Sequence, residues 1–184
     1  MTDKIFISAN QLLEDSFHLG GQILDSGFRP DLVVGIWRGG TPVAIAVHEL
    51  LARAGVETDH IPVRTQLYSG VDQRKTSVEI SGLEYIAQRK SQFNKLLLVD
   101  DVFDTGQTMA ALRNKLSTLL NTAPTEIRIA TSWYKPKRNK TRLIPDYFIH
   151  TTESWLVFPH ELCGIDKEEL LAHKPGIGRI NKYI

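Results

Sequence analysis

The stretch LLLVDDVFDTGQT, residues 96–108, decides the fold. Leu96 to Val99 form an unbroken apolar run, the pattern of a strand buried on both faces of a parallel sheet. The turn DTGQT (104–108) supplies a glycine and two hydroxyls, and QTMAALRNKLSTLL (107–120) then reads as a helix. A strand, a short glycine turn and a helix N-terminus together aim free backbone N–H groups at a phosphate. Three carboxylates, Asp100, Asp101 and Asp104, crowd the same place and would repel it. A ligand that satisfies both must carry more than phosphate.

Working outward, Ser8 with Gln11 fits a capping box that opens a helix through NQLLEDSFHLGGQILDSG (10–27). Its double glycine, Gly20–Gly21, weakens that helix without preventing it. A strand DLVVGIW (31–37), a glycine turn and a helix TPVAIAVHELLARAG (41–55) follow, with Pro42 suited to the first helical turn. Further strands are HIPVRTQL (60–67), EIRIATSWY (126–134) and DYFIHTT (146–152). Strands alternating with helices predict an α/β fold, a doubly wound and mostly parallel sheet with flanking helices. The 184 residues are read as one domain, able to bury roughly 70% of the unfolded surface.

Composition narrows the function. Hydrophobic residues make up 42%, charged residues 23%, and the net charge is +1, so no basic excess points to a nucleic-acid partner. No apolar run approaches the ~20 residues of a membrane span, and MTDKIFISAN (1–10) lacks the apolar core of a signal peptide. The single Cys163 excludes an internal disulfide and reads as a small buried filler. A reducing, cytoplasmic setting is expected. The motifs GxxxxGK[ST], GxGxxG, HExxH and GxSxG are absent, and the six histidines show no ligand spacing.

In a doubly wound sheet, ligands gather at the carboxyl ends of the strands. Arg38–Gly39–Gly40 follows the first strand; its glycines allow close backbone approach and its arginine offers phosphate a cation. The acids and DTGQT follow the next inner strand, Lys135 follows EIRIATSWY, and Trp155 follows DYFIHTT. Phosphate turns, acids and an aromatic plate suit a ligand with phosphates, hydroxyls and a base. Carboxylates accept hydrogen bonds from ribose hydroxyls and help place Mg²⁺.

LLLVDDVFDTGQT closely resembles the signature of type I phosphoribosyltransferases. GIWRGG (35–40) resembles that family's pyrophosphate loop, and WYKP (133–136) and SWLVFP (154–159) resemble the lysine and base-binding segments of its 6-oxopurine branch. The resemblance covers roughly residues 30 to 160. It implies a type I phosphoribosyltransferase fold with a small base-binding hood. The implied activity is purine salvage, moving the phosphoribosyl group of phosphoribosyl pyrophosphate (PRPP) onto hypoxanthine, guanine or xanthine and releasing pyrophosphate. A PRPP- or nucleotide-sensing regulator on the same fold, or a pyrimidine or orotate transferase, are the alternatives.

The resemblance also distributes roles. Asp104, Thr105, Gly106, Gln107 and Thr108 hold the 5′-phosphate, and Arg38, Gly39 and Gly40 cradle the pyrophosphate. Asp100 and Asp101 engage the ribose hydroxyls, directly or through Mg²⁺ and water, and Asp104 exchanges a proton with the purine imidazole as general base. Lys135 donates to the base carbonyl, Trp155 stacks on the ring, and Leu156 and Val157 read its edge through main-chain groups. The family's pyrophosphate loop often contains a non-proline cis peptide, here Trp37–Arg38. Residues 68–92 form a long polar connection that closes over PRPP, in which Arg74 and Lys75 can reach the pyrophosphate. A homo-oligomer, dimer or tetramer, is expected. The tail KPGIGRINKYI (174–184) carries no assigned role beyond packing on the core or a partner subunit.

Overall fold

The computed structural model describes residues 3–69, 76–120 and 126–184. In chain order the strands are β1 (Lys4–Phe6), β2 (Leu32–Trp37), β3 (Asp59–Ser69), β4 (Thr76–Ser81), β5 (Lys95–Phe103), β6 (Glu126–Tyr134), β7 (Tyr147–Thr151) and β8 (Trp155–Val157). The helices are α1 (Ala9–Asp25), α2 (Gly40–Arg53), α3 (Glu84–Gln88), α4 (Gln107–Leu119) and α5 (Lys167–His173). Chain contacts group these into two compact units, Leu13–Glu153 and Met1–Leu12 with Ser154–Ile184.

The larger unit is built on a six-stranded sheet in the order β4-β3-β2-β5-β6-β7. Every neighbouring pair is parallel except β3–β4. The apolar run of β5 lies at the centre, as its composition requires: Leu96, Leu97, Leu98 and Val99 are fully buried. Each such leucine contributes roughly 1.5–3 kcal/mol relative to exposure. Helix α2 buries Val43, Ala44, Val47 and Leu51, the one-face spacing of an amphipathic helix. Helix α4 does the same with Met109, Leu112 and Leu116. Pro42 sits in the first turn of α2, where its missing N–H costs nothing. Ser8 Oγ accepts the Gln11 N–H at 3.1 Å, half of the expected capping box.

From β2 the chain passes to β3 on one side, and it later returns to β5 on the other. That reversal opens a crevice at the carboxyl ends of β2 and β5, where the pairing of Gly35 with Val99 brings the two strand ends together.

The smaller unit holds a second, two-stranded parallel sheet, with Lys4 opposite Trp155, Ile5 opposite Leu156 and Phe6 opposite Val157. At three residues each, β1 and β8 are too short to show periodicity in sequence.

Several expectations change. Within the long polar connection of residues 68–92, the described residues form regular elements: β3 runs on to Ser69, β4 pairs antiparallel with it, and α3 follows. The alternation in TSVEIS is the strand signal that the polar composition obscured. Arg74 and Lys75 lie outside the described residues. Strand β5 continues through the acids to Phe103 rather than ending before them. Cys163 is exposed, not a buried filler, because it lies in a turn between β8 and α5 with no apolar layer over it. Among the described residues no helix is long and apolar enough to cross a membrane.

Candidate active site

The loop after β2 packs directly on the acids that end β5. The Trp37–Arg38 peptide bond is cis. The Arg38 carbonyl accepts the Thr41 N–H at 3.1 Å and the Thr41 hydroxyl at 2.6 Å, which turns the chain into α2. Trp37 and Arg38 are exposed, whereas Gly40 is buried. A Cβ added at Gly39 would lie 1.8 Å from Asp101 Oδ2. One added at Gly40 would lie 2.4 Å from the Val99 carbonyl oxygen and 2.7 Å from Asp100 Cα. Only hydrogen fits at these two positions, so the loop's backbone meets the acid pair at contact distance.

Asp100 and Asp101 lie side by side at the end of β5. The Asp101 N–H donates to Asp100 Oδ1 at 3.0 Å. Burial, and then the charge of Asp101, holds the Asp100 carboxyl well above the usual carboxylate range, partly offset by N–H donors from Asp101 and Gly40. Two adjacent carboxylates, one of them held up in pKa by burial and by the other's charge, suit a cation brought by the ligand. Among the described residues no three His, Cys, Asp or Glu side chains converge to hold a metal alone. One or two carboxylates completed by substrate oxygens and water is the coordination Mg²⁺ favours, so the pair fits that ion.

Beyond β5 the turn reaches α4 through Gly106, whose φ of +74° is a conformation other residues rarely adopt. There is no room for a larger residue: its Cβ would lie 2.7 Å from both the Phe103 ring and Thr141 Oγ1. The Gln107 N–H donates to Thr105 Oγ1 at 3.4 Å, and the first amides of α4 have no partner within the helix. Residues Asp104 to Thr108 lie together in this turn, where the sequence leads one to expect a phosphate.

Asp104 is paired. Arg138 Nε lies 2.8 Å from Asp104 Oδ1, both side chains being partly exposed, at 47% and 34%. Arg138 ends a 3₁₀ turn, Pro136–Arg138, directly after Lys135. The Lys135 N–H donates to the Phe103 carbonyl at 2.9 Å, which fixes Lys135 beside the end of β5. Lys135 is only 4% exposed, against the ordinary position of a lysine on a turn. The Lys140 N–H donates to the Thr105 carbonyl at 3.0 Å. Residues 135–140 therefore wall the turn between β5 and α4.

In the smaller unit Trp155 is 57% exposed, while Leu156 and Val157 are buried. The Trp155 N–H donates to Asp3 and the Val157 carbonyl accepts from Ile7, at 3.1 and 3.0 Å. Because backbone polar groups alternate sides along a strand, Leu156 turns its N–H and C=O to the side away from β1. Leu156 keeps the main-chain reading role open to it; the Val157 carbonyl is engaged by Ile7. The Lys174 ammonium donates to the Phe158 and Pro159 carbonyls at 2.6 and 3.3 Å and so braces the end of this segment. Burial pulls its pKa down. The tail thus packs on its own unit through Lys174. Neither Lys174 nor Arg138 carried a sequence signal, since each acts through a partner distant in the chain.

A groove of about 400 Å³ runs along the outer side of β2, α2 and β3, lined by Trp37, Ile45, His48, Glu49, His60 and Pro62 among others. It holds none of the expected site residues.

The fold is a doubly wound α/β sheet with a glycine turn into α4, an acid pair and a glycine loop at its switch point. Residues 8–164 match the phosphoribosyl transferase domain, and the chain belongs to that family. It is 28% identical, over 183 residues, to a hypoxanthine-guanine phosphoribosyltransferase of Lactococcus lactis subsp. lactis, covering 96% of this chain and 90% of that one. A protein of the same description from Streptococcus pneumoniae is 24% identical over 182 residues, covering 98% and 94%. A purine phosphoribosyltransferase structure from Pyrococcus horikoshii matches with a TM-score of 0.69 and 27% identity, covering 89% of this chain and 98% of that one.

Proposed function

We propose that this protein salvages purines, transferring the 5-phosphoribosyl group of PRPP to hypoxanthine, guanine or xanthine with release of pyrophosphate. The observation that carries this reading is the contact of Gly39 and Gly40 with Asp101 and Asp100. It brings the Arg38–Gly40 loop against the acid pair at the end of the strand that leads into the Asp104–Thr108 turn, which supports reading these three pieces as the sites for the pyrophosphate, ribose and 5′-phosphate of PRPP. The descriptions of the relatives support the base class.

The transition state of such a transfer has ribosyl oxocarbenium character, so positioning and charge placement supply the catalysis. The amides of residues 105–108 and the hydroxyls of Thr105 and Thr108 hold the 5′-phosphate. The glycine loop presents its backbone to the pyrophosphate, with Arg38 as the cation. Asp100 and Asp101 hold the ribose hydroxyls and would hold Mg²⁺, directly or through water; bound there, the ion screens the charge of the leaving pyrophosphate. Asp104 takes the proton that the purine imidazole loses as its nitrogen bonds to the anomeric carbon. Lys135 donates to the 6-oxo group, Trp155 stacks on the purine, and Leu156 reads its edge. Residues 1–184 are read as one phosphoribosyltransferase domain. The natural setting is the cytoplasm, as the lone cysteine suggests, with the protein acting as a dimer or tetramer.

The test is turnover. Purified protein with PRPP and Mg²⁺ is offered hypoxanthine, guanine, xanthine, adenine and orotate in parallel, and pyrophosphate is measured. A 6-oxopurine is expected to give the fastest release, and EDTA to abolish it. Release with no base above background, or fastest release with adenine or orotate, would overturn the reading. Light scattering on the eluting protein reports the oligomer.

A further inference from the structure

The phosphate turn has no cation of its own. Asp104, Thr105, Gly106, Gln107 and Thr108 offer amides, hydroxyls and a carboxylate, and the carboxylate opposes the guest. A phosphomonoester carries roughly −1.5 to −2 charges at neutral pH. Arg138 is the cation the fold brings to this place, with Nε 2.8 Å from Asp104 Oδ1.

Its segment is fixed on several sides. The Lys137 N–H donates to Glu153 Oε1 at 2.9 Å. Asn139 donates to the Leu143 carbonyl at 2.7 Å and accepts the Thr141 N–H at 2.8 Å and its hydroxyl at 2.9 Å. The Lys140 N–H reaches the Thr105 carbonyl within the turn itself, at 3.0 Å. The backbone under Arg138 is therefore held against the phosphate turn while its side chain stays partly exposed. An ion pair this accessible is weak and readily exchanged. A guanidinium has five N–H donors in a planar fork suited to phosphate, and Nε is the Arg138 atom that lies against Asp104 Oδ1.

We infer that Arg138 is a positioning residue that exchanges partners. In the free protein it neutralises Asp104. With a 5′-phosphate on the turn its terminal N–H groups pair with the phosphate, and the Asp104 carboxylate is released toward the base. One residue thereby couples occupation of the phosphate turn to readiness of the general base. This rests on the phosphoribosyl reading of the turn.

The experiment compares binding of inosine 5′-monophosphate and inosine, by calorimetry, to the wild type, Arg138→Gln and Arg138→Lys, alongside steady-state kinetics and melting temperatures. Arg138→Gln is expected to weaken the monophosphate about ten-fold while leaving inosine within two-fold, and to raise the KM for PRPP far more than that for the base. Arg138→Lys should recover part of the loss. An unchanged monophosphate-to-inosine ratio in Arg138→Gln overturns the inference, as does an equal loss of both ligands with a lowered melting temperature. A wild type that binds both ligands equally overturns the phosphate turn itself. A wild type that prefers the monophosphate, yet releases no pyrophosphate from PRPP, overturns only the transferase reading.

Discussion

Asp101 closes on Gly39 so tightly that its Oδ2 occupies the space a Cβ would take, 1.8 Å from that atom's ideal position. At Gly40 the obstruction is backbone, the Val99 carbonyl oxygen at 2.4 Å. These two glycines should fail differently when substituted. In Gly39→Ala the Asp101 carboxylate is displaced, and kcat/KM for PRPP is expected to fall about 100-fold or more with modest loss of stability. In Gly40→Ala the strand end itself must shift, at a cost of roughly 1–3 kcal/mol. Melting curves and steady-state assays on both variants check the contrast, which equal stability losses would contradict.

Asp100 yields a prediction about pH. Its folded pKa is raised, so between the unfolded value near 3.8 and the raised folded value the native state binds the extra proton. Stability from this group therefore falls as pH rises through that window and stays lower above it. Asp100→Asn removes the penalty. In EDTA-treated protein the variant should melt a few degrees higher than wild type at pH 7, and the gap should close near pH 4. It should also lose productive PRPP binding. A variant less stable than wild type at pH 7 would show that the carboxyl is not destabilised there.

Asp104→Asn keeps the shape of the turn and removes the base. The expected loss in kcat is about 100-fold or more, with the fold intact by circular dichroism. Near-native turnover would take Asp104 out of the mechanism.

The base-binding residues should separate from the PRPP residues kinetically. Lys135→Met keeps the buried stem and removes the ammonium, and is expected to raise the KM for the oxopurine about ten-fold or more, as losing a charge-assisted hydrogen bond implies. Trp155→Ala should do likewise, since stacking is worth ~1–3 kcal/mol per base. In both variants the KM for PRPP should change much less. Equal changes in the two constants would argue against a base-binding role.

The centre of the sheet was legible because β5 opens with the unbroken apolar run Leu96–Val99, and β6 is rich in β-branched and aromatic residues between turn signals. The phosphate turn was legible for a related reason: Gly106, two threonines and a helix start lie within a few residues. What escaped was built from short or distant pieces. Strands β1 and β8 stabilise one another across about 150 residues, and neither is recognisable alone. The need for glycine at positions 39 and 40 comes from Asp100 and Asp101, some sixty residues on. Arg138 carries no signal of its own in the sequence, because its partner Asp104 lies at the end of another strand.

The placement of the tryptophans makes the protein its own optical probe. Of the three, Trp133 is buried and packed on His150, with ring centroids 4.4 Å apart, so its emission is a steady, blue background. Trp37 and Trp155 are 53% and 57% exposed, one on the loop assigned to pyrophosphate and the other on the segment assigned to the base. Quenching or a blue shift in Trp37→Phe then reports the base alone, and the same signal in Trp155→Phe reports pyrophosphate alone. The order in which the two halves of the reaction mixture bind can be followed in a stopped-flow cell without a label.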